Sequence, residues 1–178
     1  DEILRRMGRR SKGREIQDLI QKIRTSVPGI ALRTSLIVGF PGEDESQFKG
    51  LLHFVEEVQF DHLGVFQYSP EEGTPAFRFS NPVPEEVKEE RLRILMEVQK
   101  KISLKKYRRL VGRKAEVLVE GTDRQRTTLR GRIRTQAPEI DGCVFLKGEA
   151  RPGDFVEAEI TQALPYDLID VTTGSGLQ

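Results

Sequence analysis

Two histidines, one cysteine and several paired carboxylates are the residues of this chain best suited to acid–base, nucleophilic or metal chemistry, yet their spacing assembles no familiar set. His53 falls on the polar side of a helical pattern and His62 just before a strand-like run, so both read as structural or solvated. Cys143 stands alone, which excludes an internal disulfide and any multi-cysteine metal site within these residues. It reads as a small apolar filler of a strand. The pairs Glu56-Glu57, Glu71-Glu72 and Glu85-Glu86 belong to solvated faces rather than to an acid and a base. Catalysis by side chains of this chain is therefore not visible, and attention moves to its backbone and its charge.

The backbone signal is Ser35-Leu-Ile-Val-Gly-Phe-Pro-Gly-Glu43. An apolar β-type run enters a Gly-Phe-Pro-Gly turn and an amphipathic helix follows at once. The turn thus lies at a strand's carboxyl end and a helix's amino end, where α/β folds keep ligand sites. No Gly-Lys-Ser/Thr follows, so it is not a P-loop. Amides at the helix start and open glycine surfaces can hold an anion or the face of a flat ring; a turn needing glycine for geometry alone is the alternative. The charge signal is a block pattern beneath a net charge of only +1. Residues 1–14 carry six basic and two acidic side chains, and residues 100–134 thirteen basic against three acidic. A stripe of Lys105, Arg108, Arg109, Arg130, Arg132 and Arg134 suits the salt-dependent phosphate contacts of nucleic-acid binding, with a solvated helix face as the plain alternative.

The elements that must position these residues follow from periodicity. Ile3, Leu4 and Met7 make a short helical phrase, and Ile16, Leu19, Ile20, Ile23 and Val27 the buried face of a second helix ended by Pro28-Gly29. Residues 30–38 read as a strand buried on both faces. Asp44 and Gln47 predict a capping box for a helix whose inner stripe is Phe48, Leu51, Leu52, Val55 and Val58. A second strand over 63–68 completes a βαβ unit. Residues 69–81 read as loop, and a long helix runs from Pro84 to residue 111, acidic at its start and basic at its end. Beyond Gly112 five short antiparallel strands are expected, turning at Gly121, Asp141-Gly142 and Pro152-Gly153, in a small closed barrel of OB type. Residues 172–178 read as a frayed tail. With 178 residues, no apolar run near the ~20 that a bilayer requires and no initiator Met, the chain reads as an internal piece of a longer, non-membrane protein.

Five stretches carry a more particular likeness: residues 3–9, Leu32 to Glu43, Leu63-Gly-Val-Phe-Gln-Tyr-Ser-Pro-Glu-Glu-Gly-Thr-Pro-Ala76, Ala137-Pro-Glu-Ile-Asp-Gly142 and Tyr166-Asp-Leu168. In this order they resemble the methylthiotransferases of the radical S-adenosylmethionine superfamily. Within it they are most similar to the branch that modifies an aspartate of a small-subunit ribosomal protein, the sister branch acting on tRNA adenosine. The resemblance implies an α/β plus all-β fold: residues 1–111 as the second half of a partial (β/α) barrel and residues 113–171 as a TRAM barrel. It also implies S-adenosylmethionine and two four-iron four-sulfur clusters in the complete enzyme, with cluster cysteines outside this chain and the piece inactive alone. Ile37, Val38, Gly39, Phe40, Pro41 and Gly42, with Val65, Phe66, Gln67 and Tyr68, would face the adenosyl part, and Arg9 and Arg33 its carboxylate or ribose. The implied partners are the ribosomal protein or ribosomal particle, with RNA contact through the basic helix and barrel, in the cytoplasm. The sister activity on tRNA adenosine and a module that only binds RNA or ribosomes without chemistry are the competing readings. Gln136 departs from the branch, which often has aspartate there.

Overall fold

The change from helical to alternating periodicity near Gly112 separates two kinds of architecture. The computed structural model describes residues 1–123 and 128–173, and the chain divides into two units, Asp1–Gln99 and Lys100–Gln178.

The first unit holds α1 (Glu2–Arg6), α2 (Gly13–Ser26), β1 (Arg33–Val38), α3 (Glu45–Val58), β2 (His62–Gln67), a 3-10 turn (Pro75–Arg78) within the expected loop, and the start of α4 (Glu85–Arg108). α4 begins directly after Pro84 and ends three residues before the expected position. The capping box of α3 is present: the Gln47 amide donates to Asp44 Oδ1 at 2.7 Å and the Asp44 amide to Gln47 Oε1 at 2.9 Å. Phe48, Val55 and Val58 are its buried residues. β1 and β2 pair in parallel from Arg33↔His62 to Val38↔Gln67, which makes the expected βαβ unit.

Two expectations are corrected here. β1 is shorter than the run 30–38 and is covered on one face only: Thr34, Leu36 and Val38 point to the covered side, whereas Arg33, Ser35 and Ile37 are exposed. Side chains alternate across a strand, so covering one face buries every second residue, and the continuous apolar run Leu36-Ile37-Val38 concealed that alternation. The stripe of α2 is likewise half covered, with Leu19 and Val27 exposed at 56% and 50%.

α4 buries Lys88, Arg91, Leu95 and Gln99 within this unit, at steps of three and four that keep them on one face. The Gln99 side-chain amide donates to the Phe60 carbonyl at 3.1 Å.

The second unit is a six-stranded sheet of β3 (Lys114–Asp123), β4 (Thr128–Ile133), β5 (Val144–Lys147), β6 (Phe155–Glu159), β7 (Gln162–Ala163) and β8 (Leu168–Thr173). Its order is β6-β3-β4-β5-β8-β7. β6 touches β8 from across the sheet, so the sheet curls around a core of Val117, Val119, Ile133, Val144, Leu146, Ala158, Ile160 and Leu168, joined by Tyr107. The strand count and directions differ from expectation: among the described residues there are six strands, and β5 and β8 run parallel. Gly121 is no turn but sits in β3 at a register shift after Val119, where a bulge favours glycine. Cys143 precedes β5 rather than lying in a strand; its amide donates to Asp167 Oδ1 at 2.9 Å. A Cβ on the neighbouring Gly142 would run into the Tyr166 carbonyl oxygen, so two segments cross here at a distance only glycine permits. Of residues 172–178, Thr172 and Thr173 lie in β8 and the others fall outside the described residues.

Candidate functional site

The parallel register of β1 and β2 sorts the candidate residues by face. Arg33 pairs with His62, Ser35 with Gly64 and Ile37 with Phe66, and these six share the open face of the sheet. Ile37 and Phe66 are 45% and 57% exposed at its carboxyl end. Gly64 lets the Phe66 ring lie close over the strand: a Cβ built on it would meet that ring at 3.2 Å and the Ser35 hydroxyl at 3.7 Å. An apolar residue and an aromatic ring, flanked by polar groups, suit the flat face and the ribose of a nucleoside. Leu36, Val38, Val65 and Gln67 point to the opposite face, with Val38 fully buried. Of the expected residues, then, Ile37, Phe66 and Arg33 come together. Ser35, His62 and Gly64 join them unforeseen, and the alternation of Arg33 and Ser35 was the signal that could have found this face.

Beyond β1 the turn is structural in its interior. Gly39, Phe40 and Pro41 are buried and Gly42 is half-buried. Phe40 packs edge-on against Tyr68 at 5.1 Å and Phe79 at 6.0 Å between ring centres. Gly39 and Gly42 both have positive φ, 73° and 83°, as their close neighbours also demand: a Cβ on Gly39 would strike the Lys88 stem, and one on Gly42 the Arg6 guanidinium. Arg6 also lies 4.8 Å from the centre of the Phe79 ring. The arginine that reaches the turn is therefore Arg6, while Arg9 is exposed beyond α1.

Behind the turn stands a buried charge network that sequence reasoning missed. Glu43 Oε1 accepts the Gly39 amide at 3.0 Å and Arg91 Nη1 at 2.7 Å, and Arg91 Nη1 also donates to the Glu43 carbonyl at 3.1 Å. Lys88 Nζ donates to the Tyr68 carbonyl at 3.1 Å and to Glu85 at 2.6 Å. Burial pushes the Glu43 carboxyl above its ordinary pKa, against the opposing pull of the Gly39 amide and Arg91. The missed signal was the spacing: Lys88 and Arg91 occupy the same helical stripe as Leu95 and Gln99, positions where a charge must find a partner.

In the second unit Lys105, Arg108 and Arg109 are exposed at the end of α4, and Arg130 and Arg134 are exposed in and just after β4. Arg132 is engaged instead, donating to Glu120 at 2.8 Å and to the Gln136 carbonyl at 3.3 Å. Among the described residues no group of three or more His, Cys, Asp and Glu could hold a metal ion, and no helix there is long and apolar enough to cross a membrane.

With its curled sheet, the chain carries a TRAM domain: the family model of that description matches residues 111–171. Along nearly its whole length the chain is similar to proteins named ribosomal protein uS12 methylthiotransferase RimO. It is 52% identical to the one from Geobacter sulfurreducens and 53% to that from Geotalea uraniireducens, each over 95% of this chain. Identity to the Trichodesmium erythraeum protein is 47% over 94% of the chain. The chain spans 38% of the length of each of these relatives.

Proposed function

We propose that this chain is the carboxyl-terminal part of a radical S-adenosylmethionine enzyme that adds a methylthio group to the β-carbon of an aspartate in ribosomal protein uS12. The observation that carries the reading is the identity of about half the residues to proteins of that name across 95% of the chain. The βαβ unit, read as the second half of a partial (β/α) barrel, would turn its open face inward, and the boundary with the TRAM domain would lie between residues 111 and 113. The order and curl of β3 to β8 support an OB-like barrel, whose surfaces commonly meet RNA.

S-adenosylmethionine would supply the radical and the transferred carbon when bound; the part of this chain is to bind and orient it. Ile37 and Phe66 offer the apolar surfaces for the adenine and Arg33 a cation for the ribose or carboxylate, while the packed turn Gly39 to Gly42 shapes the rim beside them. Cys143, the single cysteine, stands in the TRAM domain, so both iron–sulfur clusters would take their ligands from outside these residues. The setting would be the cytoplasm, where ribosomes are.

Reconstituting the full-length protein with iron and sulfide and measuring the masses of uS12 and tRNA tests the reading. A methylthio gain on the uS12 aspartate is expected; a gain on tRNA alone would place the protein in the sister activity. A docking role for the second unit accompanies the enzyme reading and is favoured by the exposure of Arg108, Arg109, Arg130 and Arg134.

A further inference from the structure

The open face of β1 and β2 can present a surface for a nucleoside only if the ends of both strands keep a fixed separation and tilt. Parallel pairing alone stops at Val38↔Gln67, and beyond it the chain makes a glycine turn on one side and a loop on the other. Both exits are gripped by side chains of α4 that stand almost one helical turn apart. Lys88 lays its stem against Gly39, just past β1, and its ammonium donates to the carbonyl of Tyr68, just past β2, at 3.1 Å. Arg91 holds Glu43 at 2.7 Å, and Glu43 in turn accepts the Gly39 amide. These side chains are 4–7% exposed, so the contacts are shielded from solvent and salt.

We propose that Lys88 and the Arg91–Glu43 pair are positioning residues for the S-adenosylmethionine site, setting the spacing of the two strand ends without touching the cofactor. This rests on the cofactor reading given above. The aliphatic stem of Lys88 fills space against Gly39, whereas its ammonium ties the two strand ends together, so the two roles can be separated. Lys88→Met keeps the stem and removes the tie; Arg91→Lys keeps a charge but is shorter than the guanidinium whose Nη1 donates to both the Glu43 carboxylate and its carbonyl.

The test measures equilibrium binding of S-adenosylmethionine to the full-length protein, beside its melting temperature and the affinity for uS12. Lys88→Met is expected to weaken cofactor binding by about tenfold, less than the ~10²-fold that a 1 Å misplacement can cost, with uS12 affinity unchanged. Arg91→Lys should show a smaller loss in the same direction. Unaltered cofactor affinity in a folded Lys88→Met protein, or a loss matched by equal loss of uS12 binding, would overturn the proposal. If Lys88→Met fails to fold, Arg91→Lys decides by the same criterion. Absence of S-adenosylmethionine binding by the unsubstituted protein would instead overturn the cofactor reading and this proposal with it.

Discussion

At the scale of single residues, Glu43 shows how a buried carboxylate serves a turn. Its oxygen answers the Gly39 amide and Arg91 together, and burial still raises its pKa above the ordinary 4.5. A raised folded value means that the native chain binds the proton more firmly than the unfolded one. The stabilising contribution is therefore full below 4.5 and is lost as pH rises through the folded value. Relative to Glu43→Gln, which keeps an acceptor for Gly39, the native protein should lose stability as pH climbs through that window and run parallel above it. Denaturant unfolding at stepped pH checks this, and parallel curves throughout would refute it. Gln136 is a second residue whose identity has a physical reason: its oxygen accepts the Ile133 amide at 2.9 Å while its nitrogen donates to the Tyr107 hydroxyl at 3.2 Å. An ionised aspartate at this position would have nothing to donate.

Elements were the most legible scale, and their edges the least. Asp44 with Gln47 announced the start of α3 because a cap is local chemistry between residues three apart. Asp44→Ala should cost about 1 kcal/mol of stability, read as a lower unfolding midpoint with faster hydrogen exchange at the Gln47 amide; unchanged exchange there would refute it. The open face of β1 was hidden, because Leu36-Ile37-Val38 reads the same whether a strand is covered once or twice. In α4, expected only as a helix acidic at its start and basic at its end, nothing singled out the buried Lys88 and Arg91. Their partners, Tyr68 and Glu43, are 20 and 48 residues away in sequence, beyond the reach of any local pattern. The parallel pairing of β5 with β8 was equally illegible, since strand direction is set by connections and not by the alternation within a strand.

For the molecule as a whole, the proposed docking surface reduces to the exposed Lys105, Arg108, Arg109, Arg130 and Arg134, with Arg132 withdrawn into its pair with Glu120. Replacing Lys105, Arg108 and Arg109 together by alanine should weaken RNA binding equally across sequences. The slope of log affinity against log salt should also flatten by about 0.7 for each phosphate of a single strand that the protein no longer neutralises. An unchanged slope would return these residues to plain solvated surface. Of these cations, Arg130 and Arg132 lie on a strand, β4. The last of the described strands, β8, is not at an edge of the sheet but lies between β5 and β7. During synthesis, β3 to β7 therefore emerge with the place between β5 and β7 vacant and the edge N–H and C=O groups of β5 unpaired. The sheet can be completed only after residue 173 has left the exit tunnel, so its closure is a late event in synthesis.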